Sequence, residues 1–260
     1  TGRWELNDEQ WALVEPVLRP ARRADNRGRP WHDTRAVLNG VLWVLGSGAQ
    51  WRELPDKYPP YQTCHRRFQQ WVRSGKLEEA LRLLARRLHD RGQLNLDEAF
   101  VDATCEREKG GFAVGPTRRG KGSKIIAIAA ANGLPLAVAV DSASPAECQL
   151  VENVLAGSFL DELPARLIGD KAYDSDQLDR QLADKYGIQL IAPNRRNRGK
   201  TQDGRSLRRY RRRWKVERLF SWLHQFRRLV TRWEYHVENF LGFAQLGCLC
   251  LLLNIYETAS

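Results

Sequence analysis

Acidic residues stand at the ends of several short apolar runs in the middle of this chain. Asp102 follows Phe100-Val101, and Asp170 follows Leu167-Ile168-Gly169. Asp97, Glu98, Asp141 and Asp174 lie close to the same run ends. A further acid, Glu217, sits in a strongly basic stretch, where residues 193–232 hold 15 Lys and Arg against 2 Asp and Glu. If two strand-end aspartates emerge side by side at the carboxyl edge of a sheet, and a helix lays a glutamate over that edge, the three repel one another without a cation. Mg2+ suits such a group, because it takes oxygen ligands and keeps several waters. Two ions about 3.5–4 Å apart activate an attacking oxygen and stabilise a leaving one in phosphodiester transfer. Strand-end Asp is also a common cap or turn residue, and Arg213–Glu217 has the spacing of a helical ion pair. Spacing alone does not choose among these acids.

Charge is distributed unevenly along the 260 residues, whose net charge is +11. Residues 1–95 hold 17 basic against 11 acidic side chains, residues 96–192 hold 10 against 15, and residues 233–260 hold 0 against 3. A polyanion partner accounts for the two basic regions. Cations held by carboxylates account for the acidic middle. Five scattered cysteines without a C-x-x-C pair suggest neither a zinc ribbon nor a disulfide framework. No signal-peptide pattern opens the chain, so a reducing cytosol is expected. The apolar run 240–256 contains Gln245 and Asn254 and is short for a membrane span. It is expected to be a buried helix, and no membrane partner is expected.

The elements that must position these acids change character near residue 95. Residues 1–95 read as helices. Asn7 with Asp8, Glu9 and Gln10 starts the first, a basic loop covers 19–30, and Asp33 caps a second that stops at Gly46-Ser47-Gly48. A third, about 62–74, carries His65, Arg66, Arg67, Gln69, Gln70 and Arg73, and a fourth spans about 76–89. One basic, Gln-rich helix among tightly joined helices suits a helix-turn-helix DNA binder, with helical packing or dimerisation as the alternative. Residues 96–260 read as strand (98–103), two strands (124–131 and 134–141) joined by the hairpin signal Asn132-Gly133, helix (145–156), strand (165–170), helix (175–186) and strand (188–192). A long helix (206–228) and a last one (237–256) follow. The order is that of a ribonuclease-H-like α/β domain, a mixed sheet whose first three strands are antiparallel. The expected division is therefore 1–95 and 96–260.

Tyr210-x2-Arg213-x3-Glu217, in YRRRWKVERLFSWLHQFRRL, resembles the Tyr-Arg-Glu-Lys signature of bacterial insertion-sequence DDE transposases. His224 stands where that family usually has Lys. FVDAT, GPTRRGKGSK, LPLAVAVDSASPAE, LIGDKAYDS and IAPNRRNRGK are similar to one branch of the family, as is the N-terminal WELNDEQWALVEPVL with GRPWHDTRAVLNGVLWVLGSGAQWRELP. The resemblance spans nearly the whole chain. It implies that Asp102, Asp170 and Glu217 are the catalytic acids and hold two Mg2+, with Mn2+ as a substitute. It also implies binding of terminal inverted repeats, cutting at transposon ends and joining of the freed 3′-hydroxyls to target DNA. The partner is double-stranded DNA, engaged by a homodimer on paired ends in the bacterial cytoplasm, at the nucleoid.

Helical offsets of 3, 4 and 7 put Tyr210, Arg213, Glu217 and His224 on one face, where Arg suits bidentate phosphate contact. Further DNA contacts are expected from the loop residues Arg195, Arg196 and Arg198, from Lys121 near the hairpin, and from Arg66 and Arg67. Two rivals share these features. One is a non-catalytic DNA-binding regulator, and the other is a structure-specific nuclease on the same fold.

Overall fold

The computed structural model describes residues 3–20, 30–108, 111–117, 120–196, 198 and 204–258. Most of the basic loop at 19–30, and Arg118, Arg119, Asn197, Gly199 and Lys200 of the quoted motifs, lie outside the described residues.

Four helices open the chain: α1 (Asp8–Leu18), α2 (Thr34–Ser47), α3 (Tyr61–Arg73) and α4 (Lys76–Asp90), with a 3-10 turn at Trp51–Glu53 between α2 and α3. Their starts follow from local chemistry. The Asn7 side chain accepts the Gln10 N–H at 2.8 Å, and the Gln10 side chain accepts the Asn7 N–H at 3.3 Å. This reciprocal pairing satisfies two donors that a helix start leaves open. Asp33 caps α2 through the Ala36 N–H.

The sheet follows: β1 (Ala99–Glu108), β2 (Gly115–Thr117), β3 (Gly120–Ala130) and β4 (Pro135–Ser142), then α5 (Glu147–Ala156) and β5 (Arg166–Ile168). A 3-10 turn (Lys171–Tyr173), α6 (Asp176–Tyr186) and β6 (Gln189–Ile191) complete it. β4 and β2 both pair with β3, β3 pairs antiparallel with β1, and β1, β5 and β6 run parallel. That is the ribonuclease-H-like arrangement expected from the element order. The Asn132-Gly133 turn joins β3 to β4, with Gly133 at φ +88°.

Two expectations need correction. Asp102 does not close the first strand. β1 runs on to Glu108, because β3 pairs with it throughout and β7 (Thr231–Arg232) pairs with its far end. The long helix expected over 206–228 is broken into α7 (Gly204–Leu207), a 3-10 segment (Arg208–Arg212), α8 (Trp214–Leu223) and α9 (Arg227–Val230). With about 3.0 residues per turn in the 3-10 segment against 3.6 in an α-helix, a single helical face does not continue from Tyr210 to His224.

The last helix, α10 (Val237–Thr258), packs against α1, α3, α4 and α8 and against β4. By length and composition it could cross a membrane. In this fold it buries Phe240, Phe243, Leu246, Leu249, Leu252 and Leu253 between the N-terminal helices and the sheet.

Candidate active site

The register of two strands brings the first two acids together. Ala99 pairs with Leu167 and Phe100 with Ile168 in the parallel β1–β5 ladder. Asp102 and Asp170 each lie two residues beyond the last pair, on the same side of the pleat. At that level β5 has ended while β1 continues, so the edge is open. Asp102 accepts the Ala103 N–H at 2.9 Å. Asp170 caps the following 3-10 turn by accepting the Ala172 N–H at 2.7 Å. Burial pushes the Asp102 carboxyl above its usual range, and the charges of Asp170 and Glu217 push the same way. The Ala103 N–H and the Arg213 guanidinium oppose them.

Glu217 arrives from α8, which packs over β1 and β3. The Arg213 guanidinium stands between acids, donating to Asp102 Oδ2 at 2.6 Å and to Glu217 Oε1 at 2.5 Å. Tyr210 lies beside it, with the guanidinium 5.7 Å from the ring centre. α8 is latched to the β3–β4 turn by Lys215, which donates to the Ala131 carbonyl, and by Arg218, which donates to the Asn132 carbonyl at 2.8 Å. Arg218 lies against the rings of Trp214 and Trp222.

The competing acids have structural partners. Glu98 is buried and receives Arg209 at 2.9 Å and Arg212 at 2.6 Å, which ties the arginine segment to the start of β1. Asp174 is buried and accepts the Arg195 N–H at 2.7 Å, with Arg198 at 3.1 Å. The Asp97 carboxylate accepts from the Asn95 side-chain amide at 3.1 Å, and Asp141 accepts the Ser142 N–H.

The expected DNA contacts divide in the same way. Arg195 also donates to the carbonyls of Lys171 and Ala172, and Arg198 reaches Asp176 as well. Both therefore brace the turn that follows Asp170. Arg196 and Lys121 are exposed. On α3, Arg66 is exposed but Arg67 is buried, with its guanidinium 4.3 Å from the Trp31 ring centre. Arg67, expected to contact DNA, lies with its guanidinium against the rings of Trp31 and Trp71. Trp31, Arg66, Arg67 and Gln70 are among the residues lining a cleft of about 270 Å³.

His224 caps α8 and its Nε2 lies 2.8 Å from Glu106 Oε1. That hydrogen bond raises the His224 pKa above its ordinary 6.5, against the opposing effect of burial. A raised folded-state pKa contributes stability that is fully present below 6.5 and is lost as pH rises through the folded value. The thermal midpoint advantage of the native chain over His224→Gln is therefore expected to shrink between about pH 6 and 8. A gap constant with pH contradicts the pairing.

Sequence reasoning missed two acids here. Glu106 gives no signal beyond strand alternation. Glu147 opens α5 as a first-turn acid, which reads as an ordinary complement to the helix dipole. It lies in the field of Asp170 and Asp102, and burial pushes its carboxyl up, with those two charges adding to the effect and Lys124 opposing it.

Among the described residues, no three acidic, histidine or cysteine side chains lie close enough together to hold an ion. The donors themselves fit one. Asp102, Asp170 and Glu217 offer only hard carboxylate oxygens, which suits Mg2+ or Mn2+. A cation, the Arg213 guanidinium, already sits between two of them. The Glu217 side chain is 52% exposed, so releasing it from this i,i+4 pair costs only about 0.3–0.5 kcal/mol.

Comparison with known proteins gives a consistent answer. Residues 6–81 match the family described as "Putative transposase of IS4/5 family", and residues 96–253, more than half the chain, match "Transposase DDE domain". In Burkholderia cepacia, the "Insertion element IS402 uncharacterized 16.2 kDa protein" is 37% identical over 109 residues, 40% of this chain and 74% of that protein. The "Putative transposase for insertion sequence element IS402" of the same organism is 34% identical over 154 residues, 55% of this chain and 69% of that protein. A "Putative transposase for insertion sequence element IS6501" of Brucella ovis is 29% identical over 133 residues, 50% of this chain and 98% of that protein. Among solved structures, "Crystal structure of a pre-cleavage Mos1 transpososome" covers 88% of this chain and 80% of its own at 9% identity and a TM-score of 0.27. That overlap is too loose to carry weight.

Proposed function

The chain belongs to the transposase DDE-domain family, and from that premise we propose that it cuts DNA at the ends of its own insertion element and joins the freed 3′-hydroxyls to target DNA. A transposase DDE domain implies dependence on divalent metal. We assign that metal to Asp102, Asp170 and Glu217, as two Mg2+ or Mn2+ ions. The observation that carries the reading is the matched position of Asp102 and Asp170 beyond the last β1–β5 pair, with Glu217 tied to Asp102 through Arg213.

When bound, the metal pair supplies activation of the attacking hydroxyl and stabilisation of the leaving oxygen. The side chains do the rest. Asp102 and Asp170 each accept a backbone N–H, and Arg195 and Arg198 brace the turn that follows Asp170, which supports a site formed before DNA arrives. Arg213 moves from the carboxylates to the scissile phosphate, where its planar fork suits two oxygens. That exchange frees Glu217 to join the aspartates. Tyr210 flanks the same phosphate. Cutting uses water and joining uses a 3′-hydroxyl, and one site serves both because each is an in-line attack on phosphorus.

Residues 1–95 are assigned as the DNA-recognition part and 96–260 as the catalytic part, working as a dimer on paired ends. Exposed Arg66 and Arg73 on α3 face the duplex, with Arg196 and Lys121 as further phosphate contacts. Arg66→Gln is expected to weaken binding and to lower the slope of log affinity against log salt by about 1. Arg67→Gln is expected instead to lower the thermal midpoint, because that residue is buried. The reverse pattern contradicts this assignment.

The function itself is tested with a duplex carrying the element's terminal repeat, in Mg2+ and in chelator. Metal-dependent nicking at the end, followed by transfer of a pre-cut 3′-end into a second duplex, is expected. Nicking without joining would identify a nuclease. Binding with neither would identify a regulator.

A further inference from the structure

Three contacts align α8 with β1. Lys215 Nζ lies 5.4 Å from the centre of the Phe100 ring, Arg213 reaches Asp102, and His224 at the end of α8 reaches Glu106. Phe100, Asp102 and Glu106 share one face of β1. The Arg213 contact is the one that the proposed reaction breaks, when the guanidinium leaves the carboxylates for the scissile phosphate. Among the described residues, the Glu217 side chain pairs with Arg213 alone, and it is 52% exposed. Once Arg213 has left, the direction of Glu217 depends on the helix that carries it.

On both sides of Glu217 that helix is tied to one turn. Lys215 donates to the Ala131 carbonyl, and Arg218 donates to the Asn132 carbonyl at 2.8 Å. The rings of Trp214 and Trp222 lie 4.8 and 4.7 Å from the Arg218 guanidinium and orient it. The fit against the turn is close. Gly133 has φ +88°, and a Cβ on it would come within 2.5 Å of Arg218 Nη2. The turn is held from its other side as well. The Ala131 N–H donates to the Asn95 carbonyl at 3.1 Å, and the Asn132 side-chain amide donates to the Gln93 carbonyl at 2.6 Å. Gln93 and Asn95 lie in the segment that joins α4 to β1. A path of hydrogen bonds therefore runs from α8 through Arg218 and Asn132 to the start of the strand that carries Asp102, and it does not use Arg213.

We propose that Arg218 is a positioning residue for Glu217. Through the β3–β4 turn it holds α8 at the height where Glu217 meets Asp102 and Asp170 after Arg213 has moved. Lys215 shares the task, and Asn132 anchors the turn. The inference rests on the assignment of Glu217 to the metal made above.

The test is single-turnover cleavage of a terminal-repeat duplex by the full chain across a range of Mg2+ concentrations. Gel-shift affinity and hydrogen exchange of the α8 amides are measured on the same preparations, with circular dichroism to confirm folding. Arg218→Met is expected to raise the Mg2+ concentration for half-maximal cleavage about 10-fold, the scale seen when groups supporting a metal site are removed. Its α8 amides are expected to exchange faster, while its DNA affinity stays near the native value. Arg218→Lys keeps a donor on a long stem but loses the planar contact with the rings, and is expected to recover most of the Mg2+ response. Gly133→Ala displaces the guanidinium from the turn side and is expected to shift the Mg2+ requirement in the same direction, which serves should Arg218→Met fail to fold. An unchanged Mg2+ requirement overturns the proposal, even if α8 exchange is faster, because a merely structural latch would do that much. Equal impairment of Arg218→Lys and Arg218→Met also overturns it, since the ring contacts would then carry the effect. Weaker DNA binding with an unchanged Mg2+ requirement would make Arg218 a phosphate contact instead. Glu217→Gln separates the two levels. If Glu217→Gln raises the Mg2+ requirement or abolishes cleavage while Arg218→Met does neither, only the positioning role falls. If Glu217→Gln cuts as the native chain does at every Mg2+ concentration, the assignment of Glu217 to the metal falls.

Discussion

Asp102→Asn is expected to bind a terminal-repeat duplex as the native chain does, yet to lose nicking and strand transfer by about 10³-fold or more, the scale of about 4 kcal/mol of transition-state stabilisation. The substitution is nearly isosteric, and an amide oxygen can still accept the Ala103 N–H that holds the side chain. What disappears is one negative charge, and with it one anionic oxygen donor, at the point where β1 outruns β5. Arg213 loses one of its two carboxylate partners and keeps Glu217. Fold and DNA affinity should therefore survive while chemistry does not. Gel-shift titration and single-turnover cleavage on one preparation separate the two. Asp170→Asn is expected to behave alike. Undiminished strand transfer from a pre-cut end in either variant removes that acid from the reaction.

The largest stability effect is expected away from the acids. Arg228 and Glu234 form a buried ion pair with side chains 7% and 6% exposed. Arg228 donates to Glu234 at 2.7 Å and also to the Ala49 carbonyl at 2.9 Å, which joins α9 to the segment after α2. Arg228→Met leaves a buried carboxylate supported by the backbone N–H groups of Glu234 itself and of Trp233, the latter at 3.3 Å, with the Arg228 cation gone. A loss of about 3–5 kcal/mol in urea unfolding is expected, as for other buried pairs broken on one side. Burial already pushes the Glu234 carboxyl up against the pull of Arg228. Without Arg228 it moves further up. A group whose folded pKa lies above its unfolded one favours folding as pH falls, so the deficit should narrow in acid. Replacing both residues by apolar ones should recover most of the loss. A deficit below about 1 kcal/mol, or one independent of pH, contradicts this account of the pair.

The α/β order was legible in the sequence wherever local chemistry decides structure. The Asn132-Gly133 turn, the Asn7 and Asp33 caps and the apolar runs at 124–131 and 134–141 set their elements within a few residues. Glu217 stood out against the arginines around it. Asp170 was legible as an acid just beyond a strand end, whereas Asp102 was expected to close a strand that in fact runs on to Glu108, and the matched height of the two depends on the β1–β5 register, which no local signal states. Asp174 illustrates the limit. From sequence it competes with Asp170 four residues away, whereas in the fold Arg195 and Arg198, more than twenty residues on, occupy it.

Helical periodicity misled in one place. The run 206–228 has apolar and basic residues at plausible α-helical spacing, yet Glu98 draws Arg209 and Arg212 down to β1, and the segment tightens into a 3-10 turn. His224, placed by offset on the face of Glu217, pairs with Glu106 instead. Arg67 shows the same difficulty on α3. Its type reads as surface, and its burial depends on Trp31, which lies more than thirty residues earlier in the chain.

The central claim is that Asp102, Asp170 and Glu217 bind the metal that performs the cut. Replacing Asp102 by cysteine, and separately Asp170, tests this most directly, because a thiolate binds Mn2+ or softer ions in preference to Mg2+. Each variant's single-turnover cleavage of a terminal-repeat duplex is measured in Mg2+ and in Mn2+ beside the native chain. The account predicts that both cysteine variants are inactive in Mg2+ and recover substantial cleavage in Mn2+, while the native chain works in either. Equal activity of the variants in Mg2+ and Mn2+, or a native chain that cuts as well in chelator, would contradict it.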